Sequence, residues 1–124
     1  MLASCQAAPP PPAPAAPAPA EVLAVTAPDA GWRLRVERVI ELDQECWILA
    51  RLWREPGFAA QVIQPAKATI PVALPAKPRK VFVEGKTWTW PNPETYEFVP
   101  SLEAVVRRAN GGRVLYVAPP PSTN

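Results

Sequence analysis

The chain has 124 residues, 19 of them proline, and a net charge of +2 with Lys/Arg interspersed among Asp/Glu. That length holds one domain, the scattered charge lacks the dense basic patch that a phosphate backbone requires, and no apolar run reaches the roughly eighteen residues that span a membrane. Histidine is absent, which removes the commonest general base, the commonest metal ligand and the Ser–His or Cys–His nucleophile pairs, so the chain reads as non-catalytic, with no cofactor, no metal and no nucleic-acid partner.

Residues 1–20 cannot join a core. From Gln6 to Ala20 the chain contains only Gln, Ala and Pro, with little to bury and many positions lacking a backbone donor. Such a run is an extended, semi-stiff spacer. Ahead of it, Leu2-Ala3-Ser4-Cys5 matches the lipobox of bacterial lipoproteins, in which the cysteine is acylated and tethers the rest of the chain to a membrane. A signal segment needs a basic start and an apolar stretch before the cleavage site, and only Met1 to Ser4 precede Cys5. Either the frame opens at an internal Met with the signal upstream, which places the protein in the cell envelope, or the box is fortuitous and the protein is cytoplasmic.

Residues 21–118 are expected to form the folded domain, with 119–124 a disordered tail. Glu21 to Ala27 is a candidate strand. Trp32 to Leu42 alternates over its first half, with Trp32, Leu34 and Val36 on one face and Arg33, Arg35 and Glu37 on the other, the pattern of a half-buried antiparallel strand. Asp43-Gln44 makes a tight connection to Glu45–Arg54, apolar on both faces and so central, and the two runs read as a long hairpin. Arg54-Glu55-Pro56-Gly57-Phe58 is a turn: Pro presets one corner and Gly accepts positive φ at the next. From Ala60 the alternation runs through Val62, Ala66, Ala68, Ile70, Val72 and Leu74, with Pro65 and Pro71 marking an edge strand or a bulge. Lys80 to Glu84 is a further strand, and Gly85-Lys86 turns into a strand at Trp88-Thr89-Trp90. Ser101 to Arg108 is the one helix, with Ser101 at its cap, Glu103 and Arg107/Arg108 matched to its dipole, and Gly111 beyond its end. Arg113 to Ala118 closes the domain. The sum is an all-β, mainly antiparallel domain, a small β-sandwich or partly open barrel with one short C-terminal helix.

Five tryptophans would supply much of so small a core. Trp32, Trp47 and Trp53 fall on regular strands and are assigned to packing. Trp88 and Trp90, two residues apart, either cover the end of the sandwich or form a stacking platform for sugar rings, prolines or bases. Cys46 reads as a buried core thiol. Glu41, Asp43 and Glu45, like Glu94 and Glu97, read as surface charge rather than an acid–base pair. Phe58 at the tip of a tight loop is either folded under the sheet or presented to a partner. The partner-binding candidates are therefore Arg54, Pro56, Gly57, Phe58, Trp88 and Trp90, and Cys5 is the lipidation candidate.

The order Gly31-Trp32, then Arg54-Glu55-Pro56-Gly57, then Gln61, then Thr69-Ile70-Pro71-Val72 resembles the PrcB-like C-terminal domain over about residues 31–83. That domain occurs in bacterial envelope lipoproteins associated with the stability of a protease complex. Thr69-Ile70-Pro71 stands where the family carries a Tyr–Pro or Pro–Tyr pair, and residues 88–116 have no counterpart in it. The resemblance implies a non-catalytic β domain that engages another envelope protein, such as a protease. The alternative from the residues alone is a cell-wall or carbohydrate-binding module using Trp88 and Trp90.

Overall fold

Alternating apolar residues build the centre of the molecule. The computed structural model describes residues 21–120; the expectations placed on Cys5, on the spacer 1–20 and on residues 121–124 lie outside the described residues. In chain order the elements are β1 (Val22–Ala27), β2 (Trp32–Glu41), β3 (Cys46–Arg54), β4 (Gln64–Thr69), β5 (Arg79–Glu84), β6 (Glu97–Val99), α1 (Leu102–Arg108) and β7 (Arg113–Val117). Five strands form one sheet in the order β6-β5-β3-β2-β7, and β1 pairs with β4 in a separate two-stranded ribbon. Among the described residues the fold is mostly β with one short helix, and it is not a closed barrel. The β2–β3, β2–β7 and β1–β4 ladders are antiparallel, whereas β3–β5 and β5–β6 are parallel.

β3 lies at the middle of the five-stranded sheet, and its first five residues, Cys46–Ala50, are covered on both sides. Cys46, Ile48, Ala50 and Leu52 join Leu34, Val36, Val81 and Val83 in a core closed by Leu23, Val25 and Ala66 of the ribbon. Trp47 and Leu49 point the other way and meet Ile40, Phe82, Leu102 and Val105 under the helix. Cys46 is 0 % exposed, the core thiol expected of it, and burial pushes its thiol pKa up.

β2 serves both cores by breaking register. Val36 pairs with Ala50 but Arg38 pairs with Leu49, leaving Glu37 as an extra residue. This bulge lets Trp32, Leu34, Val36 and Val39 share the ribbon side, while Ile40 turns to the helix side.

The structure departs from the sequence expectations in several places. The strand expected from Ala60 to Leu74 is confined to Gln64–Thr69, and Val62 lies in the preceding loop at 56 % exposure. Trp88-Thr89-Trp90 is irregular backbone rather than strand, and β6 is a strand where the sequence marked none. Trp53 does not pack in the core: it is 37 % exposed. Its face of β3 is covered at Trp47 and Leu49 by the helix, which does not extend that far.

Candidate functional site

The turn after β3 presents apolar side chains to solvent. Pro56 and Gly57 reverse the chain, with Gly57 at φ 109°. The loop is pinned at both ends to the β1–β2 connection: Glu55 N–H donates to Gly31 C=O at 2.9 Å and Ala30 N–H donates to Ala60 C=O at 2.9 Å. Between these anchors Phe58 is wholly exposed, and Val62 and Ile63 lie just beyond them at 56 % and 66 %. Three large apolar residues within six positions of one anchored loop cost free energy in water. Phe58 is therefore not folded back under the sheet. Val62 and Ile63 escape notice as site residues in the sequence because alternation assigns Val62 to a strand.

Arg54 buttresses the loop's base. Its Nε donates to Asp29 Oδ2 at 3.1 Å, while Asp29 Oδ1 accepts from Gly31 N–H at 2.8 Å. The Gly31 hydrogen bond, helped by Arg54, holds the Asp29 carboxyl below the usual carboxylate range. Arg54, Pro56, Gly57 and Phe58 are thus all at one exposed loop.

Trp88 and Trp90 are at the same end of the sheet, beyond β5, but they face inward to different degrees. Their rings lie 5.3 Å apart at 34°, and the Trp88 ring meets Trp32 edge-on at 5.0 Å. Trp88 Nε1 donates to Asn92 Oδ1 at 2.8 Å. Lys86 donates to Trp90 C=O at 2.9 Å and holds its Nζ 5.7 Å from the Trp88 ring and 4.8 Å from Phe98. Both tryptophans are half-buried. Trp88 packs on the core, and its cation and hydrogen-bond partners come from its own chain.

Glu94 is not a free surface charge. Its carboxylate accepts from Thr26 N–H at 2.9 Å, from Thr26 Oγ1 at 2.6 Å and from Asn92 Nδ2 at 2.9 Å. Asn92 Nδ2 also donates to Thr26 C=O at 2.7 Å, and Tyr96 Oη accepts from Ala24 N–H at 3.3 Å. Side chains of residues 92–96 therefore serve as a ladder along β1's free edge and link the ribbon to the five-stranded sheet through β6. Burial raises the Glu94 pKa, but the Thr26 and Asn92 hydrogen bonds outweigh it and hold the carboxyl below its ordinary value. Glu97 pairs instead with Arg108 at 3.2 Å, Glu41 with Lys77 at 3.0 Å, and Glu45 accepts from Trp47 Nε1 at 3.1 Å.

Among the described residues no three His, Cys, Asp or Glu side chains converge as metal ligands, and no helix is long and apolar enough to cross a membrane. No family model matches the chain, and neither a curated protein nor a solved structure matches it.

Proposed function

We infer that this chain is a non-catalytic, envelope-tethered module that binds a partner protein through the loop between β3 and β4. The observation that carries this reading is the exposure of Phe58, held out from the fold between the loop's two anchors, with exposed Val62 and Ile63 following in the same connection. An aromatic flanked by aliphatics on a rigid support suits insertion into a partner's apolar pocket. The envelope tether rests on Cys5 and the Pro/Ala spacer in the sequence. The PrcB-like resemblance adds a protease as the class of partner. The glycan reading of Trp88 and Trp90 is weaker, because Trp88 gives its indole N–H to Asn92 and its edge contact to Trp32.

The test is capture from detergent-solubilised envelopes by the full chain and by Phe58→Ala, followed by affinity measurement with the purified partner. Loss of an anchoring aromatic costs about 2 kcal/mol or more, so Phe58→Ala should weaken affinity roughly 30-fold while the melting temperature stays put. Equal capture by both chains would sink the assignment of this loop.

A further inference from the structure

The helix leaves half of one sheet face bare, and the strand register fills that half with arginine. Residues directly opposite one another in a ladder share a face. Trp53 is opposite Arg33, Arg51 is opposite Arg35, and Leu49, which lies under the helix, is opposite Arg38. On its other flank Arg51 is opposite Glu84 of β5. The chain order conceals this patch, because Arg51 comes from a different strand and Arg38 joins the face only through the bulge at Glu37.

Four guanidiniums meet two carboxylates here. Arg51 takes both, Glu37 at 3.1 Å and Glu84 at 2.8 Å. Arg35 stands 3.9 Å from Glu37 and gives Nη2 to the Pro119 carbonyl. Arg33 gives Nη1 to the Ala30 and Trp32 carbonyls at 3.1 and 3.2 Å. Among the described residues neither Arg33 nor Arg38 is in an ion pair. Like charges directly opposite destabilise a ladder, so the Arg35–Arg51 rung costs stability that Glu37 only partly offsets. A guanidinium carries five N–H donors in a planar fork, and these contacts leave many of them open. Beside the rung lies a groove of about 380 Å³ lined by Arg35, Glu37, Arg51 and Trp53. Its broad apolar wall is the Trp53 ring, 37 % exposed, with Nε1 held by Glu55 Oε1 at 3.0 Å.

The mixture of charges selects among anionic partners. Single-stranded nucleic acid follows a continuous basic groove and stacks on successive aromatics, whereas this groove is lined by one aromatic and interrupted by Glu37. An anionic membrane surface calls for a cluster of about four to eight basic residues, and here Glu37 and Glu84 cancel half of the four arginines. A protein segment with carboxylates at intervals fits better. Arg51 already shows the pairing, seated between two glutamates, and the arginine fork matches a carboxylate in two-point contact. Apolar groups between the acids would rest on the Trp53 ring.

We propose that this half-face is a docking surface for an acidic, extended segment of a partner protein, whose carboxylates pair with Arg35 and Arg38 and whose apolar groups lie on Trp53. The proposal rests on the reading of the chain as a partner-binding module, but not on the Phe58 loop.

The experiment is an NMR titration of the full chain with hexaglutamate, with hexaglutamine as the uncharged control. The Trp53 indole resonance is assigned from its loss in Trp53→Phe. Hexaglutamate should move it together with the Arg35 and Arg51 Nε–H resonances, and hexaglutamine should move none of them. Arg35→Gln/Arg38→Gln changes side chains outside the core and should leave the melting temperature in place. It should need roughly tenfold more hexaglutamate for the same indole shift, the loss of two partly exposed charge pairs. Raising the salt from about 0.1 to 1 M shortens the Debye length from about 10 to 3 Å and should weaken binding to the original chain. Phe58→Ala should titrate as the original chain does, so failure of this surface and failure of the loop are told apart. Resonances unmoved by hexaglutamate, or moved equally by hexaglutamine, overturn the proposal. So does an oligothymidylate or a phosphatidylglycerol vesicle that moves the indole at lower concentration than hexaglutamate, the mark of a general polyanion surface.

Discussion

Gly57 and Gly85 have nearly the same positive φ in opposite surroundings. Their φ values are 109° and 114°, a region where a side chain costs on the order of 1–2 kcal/mol. At Gly57 nothing lies within 4 Å of an added Cβ, whereas at Gly85 it would sit 1.9 Å from the Leu52 carbonyl oxygen. Leu52 is itself a core residue of β3, so its carbonyl cannot yield without disturbing the central strand. Gly57→Ala should therefore cost about 1–2 kcal/mol, and Gly85→Ala distinctly more, about 3–4 kcal/mol once backbone displacement is added. Urea unfolding of both variants checks this; equal midpoints would mean that Leu52 gives way freely. The sequence marks both glycines as turns, since Pro-Gly and Gly-Lys punctuate alternating runs. It cannot mark the difference between them, because the Leu52 carbonyl meets Gly85 only after β5 has docked beside β3.

The same boundary between local and long-range information runs through the elements. The β2–β3 hairpin and α1 are legible because their signals are contiguous: alternation, a short turn, a cap and a charge gradient. Ser101 does cap α1, accepting from Ala104 N–H at 3.4 Å. A second cap is invisible in the sequence, for Glu84 at the end of β5 accepts from Leu102 N–H at 2.9 Å while holding Arg51 at 2.8 Å. Ser101→Ala should cost about 0.5–1 kcal/mol. Glu84→Ala should cost more, about 1–2 kcal/mol, because it removes a charge-assisted bond and an ion pair together. Denaturant titration ranks the two, and a larger loss for Ser101→Ala would mean that Glu84 does not hold the helix. Lengths also explain Trp53. Seven helical residues span about 10 Å, while the nine of β3 span about 30 Å. The helix shelters Trp47 and Leu49 and leaves Arg51 and Trp53 bare. Alternation reports which face a residue is on, but coverage depends on a partner element's reach. Arg51, a charge between two apolar neighbours on that face, is the one local sign that cover ends there. β6 carries no such sign: three residues long, it is a strand because β5 offers it an edge.

At the scale of the whole molecule, two sheets share no strand ladder and are joined along one side by side chains of residues 92–96. Glu94 is the centre of that seam, taking three hydrogen bonds from Thr26 and Asn92. Its folded pKa lies below its ordinary value of 4.5, so the unfolded chain binds the proton more readily. Stability from this group is then present above the unfolded pKa and is lost as pH falls through the folded one. Glu21, lowered by its Arg79 partner, and Asp29, lowered chiefly by the Gly31 N–H, act in the same direction. The domain should hold constant stability from pH 7 to about 5 and weaken below that. Glu94→Gln keeps the size of the group but loses its charge, and should cost roughly 1–2 kcal/mol at pH 7. As pH falls toward 3 the original carboxyl progressively takes up a proton, so the gap between the two chains should shrink in acid. Urea midpoints at both pH values decide the matter: a gap that stays the same in acid would show that the Glu94 charge contributes nothing, and that the seam is held by shape and by the neutral bonds of Asn92 and Tyr96.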